Sequence, residues 1–421
     1  MTPKRQVIIP IPSIASALRY SNYRLWFAGQ SVSLIGTWMQ MVAQQWVVFD
    51  MTRSEFLLGA VTFAGSLPTF FLMLPAGVLA DRFPRRTILL FTQTASMILA
   101  FLLAGLLAVG RLEVWHVFVL ATLLGVVNSF DAPARQSFTI EIIDDRRDLL
   151  NAIALNSTMF NLARVIGPAV AGFILAAWGA AWCFGLNGAS FLAVIGGLLA
   201  IRVPAFEPAK TDEPLRQFRE GLGYTLRHPV ILPLVLITSI TCLFSMSYAT
   251  LMPAFAVVVL HQGETALGFL TAAVGIGAVL GSLFMAAMSR VQGRRGPLLL
   301  GGVLFPLSLL AFACSTSYAM SLAFLVAAGF GVVVLNTSIN SLIQIHVSDE
   351  LRGRVMSIYL LSFFGSTPFG ALQAGAVAQA LGPAMGLAIS AGLGLVLVLG
   401  VMLASPGLRT DIIAPAETHS T

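Results

Sequence analysis

Long apolar runs alternate with short polar connections along almost the whole chain of 421 residues. Each run reaches about 20 residues, the length that an α-helix needs to cross the hydrocarbon core of a bilayer. The pattern predicts an all-α integral membrane protein. Its twelve expected transmembrane helices are 24–50, 56–80, 87–109, 115–137, 150–177, 181–201, 230–258, 265–288, 297–316, 318–343, 355–379 and 383–404.

The longest polar stretch, residues 203–228, divides these spans into two sets of six. We therefore expect an N-terminal six-helix bundle at 1–202, a cytoplasmic linker at 203–228, a C-terminal bundle at 229–405 and a cytoplasmic tail at 406–421. The basic part of the linker predicts a solvated or interfacial helix. Basic connections follow both the second and the eighth span, and such repeated halves are the ground plan of many secondary transporters.

Basic residues are distributed unevenly between the two sides of the predicted spans. With the N-terminus inside, only Arg53 and Arg111 among the 24 Lys and Arg lie outside, and Arg164 lies within a span. Cytoplasmic connections carry an excess of Lys and Arg. The distribution predicts a multi-pass protein of the bacterial cytoplasmic membrane with both termini in the cytoplasm. The net charge of +6 is then explained by topology and a lipid partner, without nucleic acid.

The composition excludes several other classes of protein. Hydrophobic residues make up 57% of the chain and charged residues only 10%, too few to cover a soluble surface. The three cysteines lie in apolar stretches, the five histidines are scattered, and neither set has the spacing of a metal site. The Gly-x4-Gly-Lys phosphate loop is absent, and so is a catalytic constellation. We expect no enzyme, no metal and no cofactor.

Two sets of motifs resemble one known family. The segment GVLADRFPRR at 77–86 is similar to the signature between helices two and three of the major facilitator superfamily, with Pro84 in place of its second glycine. The segments NYRLWF at 22–27, NSFDAPARQ at 128–136, NLARVIGP at 161–168 and LRGRVMS at 351–357 resemble its enterobactin-exporter-like branch, the transmembrane secretion effectors.

This resemblance implies two six-helix bundles around a central cavity. It also implies export of siderophore-like or drug-like small molecules by proton antiport, with the proton gradient as energy source, and we expect a monomer. An importer or uniporter of the same fold stays open, as does a non-transporting receptor or scaffold. A membrane enzyme is disfavoured because no catalytic groups are evident.

Arg164 is the most informative single residue of the sequence. It lies roughly 20 Å along the axis of its predicted helix, where a charge is costly unless it is paired or hydrated. Ser157 and Asn161 share its helical face. The pattern predicts a cation that lines the cavity and binds substrate or a coupling carboxylate. A structural arginine bonded to backbone carbonyls is the alternative.

Other charged residues are candidates for coupling and gating. Asp131 is the leading carboxylate within the membrane, and it could alternate between ionisation states beside Arg135 or Arg164, or form a static ion pair with Arg135. Asp81 could latch the two halves through Arg135 or the start of the eleventh span. Arg85 and Arg86 accompany Asp81, although basic loop residues need no role beyond topology.

Polar and small residues form stripes on several predicted helices. We expect the polar stripes to line the cavity, with hydrogen bonding between helices as the alternative. The cavity candidates are Gln30, Thr37, Gln40, Gln44, Asn161, Arg164, Asn336, Asn340, Tyr359 and Gln373. Gly167, Pro168 and Gly172 predict close helix packing with a bend and resemble part of the exporters' antiporter signature. An apolar pocket could come from Trp38, Trp46, Phe63, Met159, Phe160, Phe244, Met246 and Tyr248, although residues of these types are more often core or lipid contacts.

Overall fold

The structure is a computed structural model, and it describes residues 13–143, 145–203, 214–288 and 295–408. The first half folds into a bundle of six long helices, as the apolar runs predict. They are α1 (Ser21–Thr52), α2 (Glu55–Arg82), α3 (Arg85–Ala108), α4 (Val114–Glu141), α5 (Leu149–Trp178) and α6 (Ala180–Ala200).

The second half forms a matching bundle after the linker helix α7 (Pro214–Arg227). Its first span is broken into α8 (Ile231–Ile240) and α9 (Tyr248–Ala254), each followed by a π-helical turn, at Thr241–Ser245 and Phe255–Val259. The remaining helices are α10 (Glu264–Ala287), α11 (Arg295–Ala313), α12 (Tyr318–His346), α13 (Asp349–Leu381) and α14 (Pro383–Ala404).

The predicted spans correspond to these helices, which extend several residues further at some ends. Eleven helices in the described residues are long and apolar enough to cross a membrane. The first helix, α1, is not among them although it has 32 residues. Its glutamines, serines and threonines lower its hydropathy, and two of those glutamines, Gln30 and Gln40, are buried against other helices.

The two bundles repeat one packing arrangement. In the first, α2 packs on α4 and α3 packs on α6; in the second, α10 packs on α12 and α11 packs on α14. The turns repeat as well. Gly179 (φ 84°) and Gly382 (φ 86°) hold equivalent tight turns, and Arg53 (φ 50°) and His261 (φ 52°) hold another equivalent pair in the left-handed region. The weak sequence echo thus reflects a structural repeat.

Two helix pairs form the seam between the bundles: α2 packs on α13, and α5 packs on α10. We call the end of the molecule that carries the connections at 83–84, 142–148, 201–230 and 347–348 the basic end. The other end, with the connections at 53–54, 179 and 260–263, is the opposite end.

Short polar segments attach to each bundle at the basic end. The segment Ser13–Arg19 is fixed to the start of α5, since Asp148 accepts hydrogen bonds from Ser16 and Tyr20 and pairs with Arg19. The linker helix α7 packs on α13 of the second bundle, where Glu220 pairs with Arg354. Residues 204–213 of the linker and 409–421 of the tail lie outside the described residues.

Candidate functional site: the space between the bundles

The seam between α2 and α13 is closed at the opposite end. Ser54 donates a 2.7 Å hydrogen bond to the side-chain oxygen of Gln379. One turn further into α2, a Cβ atom on Gly59 would lie 2.5 Å from the carbonyl oxygen of Ala371, so the two backbones are in contact. The rings of Phe63 and Phe369 then meet edge to face, with centroids 5.7 Å apart.

The seam between α5 and α10 is closed in the same way. A Cβ atom on Gly268 would lie 2.6 Å from the carbonyl oxygen of Pro168 and 2.7 Å from the Cα atom of Gly172. The rings of Phe173 and Phe269 pack edge to face, with centroids 5.4 Å apart. Gly167 faces the other way and packs on Trp38 of α1. Gly167 and Gly172 therefore lie at two different helix contacts of α5.

Towards the basic end the bundles separate. Among the described residues, the hydrogen bonds, ring contacts and close glycine contacts between the two seam helices of each pair involve α2 up to Phe70 and α5 from Arg164 onwards. A Cβ atom on Gly77, near the basic end of α2, would have nothing within 4 Å. From these contacts we infer a space between the bundles that is sealed at the opposite end and open at the basic end.

Arg164 lies where the closed part of the seam meets the open part. Its guanidinium lies over the ring of Trp38 on α1, 5.8 Å from the centroid. Tyr248 on α9, in the other bundle, lies close enough to interact electrostatically with the guanidinium, and Tyr248 is only 5% exposed. Arg164 itself stays half-exposed. A single side chain thus touches both bundles at mid-membrane and still faces the open space.

The neighbours of Arg164 on α5 determine the polarity of the wall next to this space. Ser157 is exposed, and Asn161, one turn before Arg164, donates a 3.0 Å hydrogen bond to the Ser157 carbonyl. Phe160 is 46% exposed and packs edge to face on Trp38, with centroids 5.6 Å apart. The wall that leads from the basic end to Arg164 therefore combines neutral polar groups with aromatic surface.

The polar stripe of α1 divides between two environments. Gln40 is 5% exposed and accepts a 2.7 Å hydrogen bond from Asn187 of α6, so it joins two helices of one bundle. Gln30 is also buried, and its amide nitrogen has no partner among the described residues. Thr37 is exposed and Gln44 half-exposed. In this conformation Gln40 and Gln30 lie away from the open space.

The stripes of the second bundle divide similarly. Gln373 donates to Ser390 of α14 at 3.2 Å, which is a bond between helices of one bundle. Tyr359 is buried. Asn336 and Asn340 are half-exposed on α12, and Asn340 accepts a hydrogen bond from Gln344. Of the sequence candidates on these helices, Asn336, Asn340 and Gln373 are half-exposed and Tyr359 is buried.

Asp131 is buried within the first bundle and does not reach Arg164. Its carboxylate accepts hydrogen bonds from Thr92 at 2.9 Å and Gln93 at 2.8 Å, both on α3, and lies 3.4 Å from Arg135 Nε. The arrangement matches the ion pair with Arg135, and the association with Arg164 is absent here.

The motif at the end of α2 is held inside the first bundle by its arginines. Arg85 pairs with Glu141 of α4 at 3.2 Å. Arg86 donates to the carbonyl oxygens of Leu198 and Leu199 at the end of α6, at 2.6 and 2.9 Å. Asp81 is half-exposed, and no hydrogen bond or ion pair joins it to another described residue. With the basic end open, the expected latch is not formed.

Two features of the site were not predicted from the sequence. Gln379 caps the start of α2 across the seam, but a glutamine near a helix end carries no signal of such a partner. The π-helical turns on either side of α9 place Tyr248 opposite Arg164. Such turns occur often at functional sites. Pro253 was the only local signal that this span departs from a regular helix.

Comparison with known proteins gives the geometry a family context. A model of the transmembrane secretion effector family matches residues 13–418. The chain is 24% identical to the staphyloferrin A transporter of Staphylococcus aureus, over 85% of this chain and 90% of that protein. It is 27% identical to the multidrug efflux pump Tap of Mycolicibacterium fortuitum (89% and 93%) and 26% identical to the enterobactin exporter EntS of Shigella boydii (90% of each).

Solved structures show the same fold. A mutant form of the nucleoside transporter NupG superposes with a TM-score of 0.76 at 12% identity, covering 91% of this chain and 98% of that one. A bacterial homologue of the human lysosomal transporter Spinster, inward-facing and unoccupied, superposes with a TM-score of 0.75 at 15% identity, covering 96% and 100%. The two-bundle architecture is therefore shared with solved transporters.

Proposed function

The chain belongs to the transmembrane secretion effector family of the major facilitator superfamily, which consists of transporters and not of enzymes, and from this premise we propose that it exports small organic molecules by proton antiport. Substrate enters the open space from the basic end and leaves at the opposite end. The proton gradient supplies the energy, without a cofactor.

We place the basic end in the cytoplasm of a bacterial cell, with both termini on that side of the cytoplasmic membrane. The distribution of arginines supports this orientation. The connections at the basic end carry Arg85, Arg86 and Arg147, whereas Arg53 and Arg111 lie in those at the opposite end. Because short connections rich in Lys and Arg stay in the cytoplasm, the conformation described above is inward-facing and ready to load.

One observation carries the proposal: the space around Arg164 is sealed at one end and open at the other. The close contacts near Gly268 and Gly59 are confined to the opposite half of the seam. Alternating access needs such one-sided closure, in which two repeated bundles rock around a site near mid-membrane. The single chain supplies both bundles, so we propose that a monomer is sufficient.

The relatives support organic molecules of siderophore-like or drug-like type as substrates. Their names include a siderophore transporter, an enterobactin exporter and a multidrug efflux pump. The mixed aromatic and neutral polar wall beside Arg164 suits molecules with both apolar and polar surface.

For the coupling step we propose Asp131 as the proton-binding carboxylate, with Arg135 as the competing cation. In the inward-facing conformation the Asp131 carboxylate accepts hydrogen bonds from Thr92 and Gln93 and pairs with Arg135. Coupling requires that at least one of these contacts is weakened in the outward-facing conformation, so that Asp131 can take up a proton there. Without such a change the pair is static.

Transport in inside-out vesicles tests the proposal. We expect vesicles that contain the protein to accumulate a fluorescent drug when their lumen is acidic, and to lose it when nigericin collapses the pH gradient. Accumulation that does not depend on the pH gradient would indicate a uniporter. Drug uptake by right-side-out vesicles would indicate an importer. An Arg164→Ala variant with an unchanged cellular phenotype would favour a receptor or scaffold.

The coupling role of Asp131 has its own test. We expect Asp131→Asn to abolish gradient-driven accumulation while exchange of labelled for unlabelled substrate continues, because exchange needs no net proton movement. Asp50→Asn is a matched control, since Asp50 pairs with Arg53 at the exposed end of α1. If the Asp131→Asn variant still carries out gradient-driven transport, Asp131 has no coupling role and only forms a static ion pair with Arg135.

A further inference from the structure

We propose that Arg164 makes the inward-facing cavity a binding site for organic anions, in particular for a carboxylate or phenolate attached to an aromatic group. This inference rests on the proposed function and names the substrate class that the site accepts. It follows from the charge, the spare donors and the aromatic surroundings of one side chain.

The charge of Arg164 is not balanced by the protein. Arginine remains charged in proteins, and a charge at mid-membrane is costly unless it is paired or hydrated. Among the described residues no carboxylate lies within ion-pair distance of Arg164, since each ion pair joins other residues. Asp131, the leading intramembrane carboxylate of the sequence analysis, already bonds to Thr92, Gln93 and Arg135.

The hydrogen-bonding capacity of Arg164 is mostly unused. A guanidinium carries five N–H donors in a fixed fork. Among the described residues Tyr248 offers an electrostatic contact and the face of Trp38 a cation–π contact. The remaining donors belong to a half-exposed side chain beside open space. A carboxylate fits this fork with two parallel hydrogen bonds, which is the strongest pairing available to arginine.

The residues around Arg164 select for an apolar group next to the anion. The rings of Trp38 and Phe160 form an aromatic corner on the same side as the guanidinium. On α5 the approach from the basic end is lined by the neutral Ser157 and Asn161. Coulomb attraction to Arg164 is strengthened where protein and lipid exclude water. An organic cation meets repulsion at the same point.

Three probes with one ring system and different charges test the inference. They are 1-naphthoate, 1-naphthylmethanol and 1-naphthylmethylammonium, titrated into the full-length protein in nanodiscs, with empty nanodiscs as the blank. We expect naphthoate to bind about tenfold or more tightly than the alcohol, as hydrogen bonds to a charged group allow, and the ammonium to bind most weakly.

Variants assign the preference to Arg164. We expect Arg164→Gln to bring naphthoate and the alcohol to within about threefold of each other, and Arg164→Lys to keep part of the preference, because it retains the charge without the fork. Arg53→Gln is the matched control at the exposed opposite end and should keep the full preference. If the Arg164→Gln variant does not fold, the reduced naphthoate preference of Arg164→Lys tests the same assignment.

Two outcomes would overturn the anion site: wild-type protein that binds naphthoate no better than the alcohol, or an Arg164→Gln variant that keeps the preference. Failure of the proposed export function can be distinguished from failure of the anion site. A clear anion preference without gradient-driven transport in vesicles would count against export and leave the binding site intact. Gradient-driven transport without an anion preference would remove the binding site and leave export intact.

Discussion

The hydroxyl of Ser54 donates a 2.7 Å hydrogen bond to the side-chain oxygen of Gln379, which joins the start of α2 to the last turn of α13 in the other bundle. The same oxygen accepts a 3.3 Å bond from the backbone N–H of Phe56. The first N–H groups of a helix have no partner within the helix. Gln379 therefore completes a helix start across the seam and stabilises the closed opposite end.

Removing this acceptor should loosen the closed end. We expect Gln379→Ala to raise the population that is open at the opposite end about fivefold, the effect of losing about 1 kcal/mol of hydrogen bonding. The measurement is the rate at which a membrane-impermeant maleimide labels Phe63→Cys, in a background where Cys314 is replaced by Ser. Gln373→Ala is the matched control, because Gln373 bonds to Ser390 within one bundle. Equal labelling rates in both variants would contradict the prediction.

The contact between α5 and α10 has no room for a methyl group at Gly268. An added Cβ atom would lie 2.6 Å from the carbonyl oxygen of Pro168 and 2.7 Å from the Cα atom of Gly172, and backbone atoms cannot rotate aside. We expect Gly268→Ala to force the helices apart and to impair transport severely. The same labelling assay and vesicle transport would measure this. Gly196→Ala on α6, where a Cβ atom meets nothing within 4 Å, should behave like wild type.

Asp81 has no hydrogen-bond or ion-pair partner among the described residues while the basic end is open, so its contribution should come from the other conformation. When the bundles close there, Asp81 can meet the start of α13, whose cap residue Ser348 makes no side-chain capping hydrogen bond. We expect Asp81→Asn to leave thermal stability unchanged and to lower turnover several-fold. Normal efflux by a well-expressed Asp81→Asn variant would show that no such latch exists.

Asp148 makes the attachment of the N-terminal segment dependent on pH. Hydrogen bonds from Ser16 and Tyr20, together with the charge of Arg19, hold the pKa of the Asp148 carboxyl below its ordinary value. A carboxyl with a lowered pKa stabilises the fold above its unfolded pKa, about 3.9, and this contribution disappears as the pH falls through the folded value.

The difference in melting temperature between wild type and Asp148→Asn should therefore be constant from neutral to mildly acidic pH. It should shrink as the pH falls below about 4 and through the lowered folded pKa of Asp148, where the wild-type carboxyl becomes protonated as well. Thermal unfolding of purified protein at a series of pH values measures it. Asp145→Asn, in the same connection, is the control variant. A difference that persists undiminished at low pH would refute the assignment.

The sequence predicted the helices well because the bilayer imposes one length and one polarity on every span. The expected spans at 24–50 and 355–379 correspond to α1 and α13, which begin earlier, at Ser21 and Asp349. Those extra turns lie beyond the apolar stretch, so hydropathy does not mark them. The π-helical turns beside Tyr248 were not predictable, since they depend on packing and not on local preference.

The candidate site was predicted in part. Arg164 could be singled out because any charge at that depth must face the interior. Gln40 and Gln373 carry the same polar signal, yet each bonds to a neighbouring helix of its own bundle. A polar stripe indicates that a helix face avoids lipid. It does not indicate whether that face contacts another helix or an open cavity.

The sequence by itself determined that the chain crosses a membrane repeatedly, that it has two halves, and that a single arginine is held at mid-membrane. Each of these follows from the cost of polar groups in hydrocarbon, which acts on every segment independently. Only the tertiary structure decided that Arg164 meets Tyr248 across the bundles, and that the seam is closed at Gly268 but open beyond it. Those relationships depend on where separate helices pack, and the free-energy differences between alternative packings are too small to be read from one segment at a time.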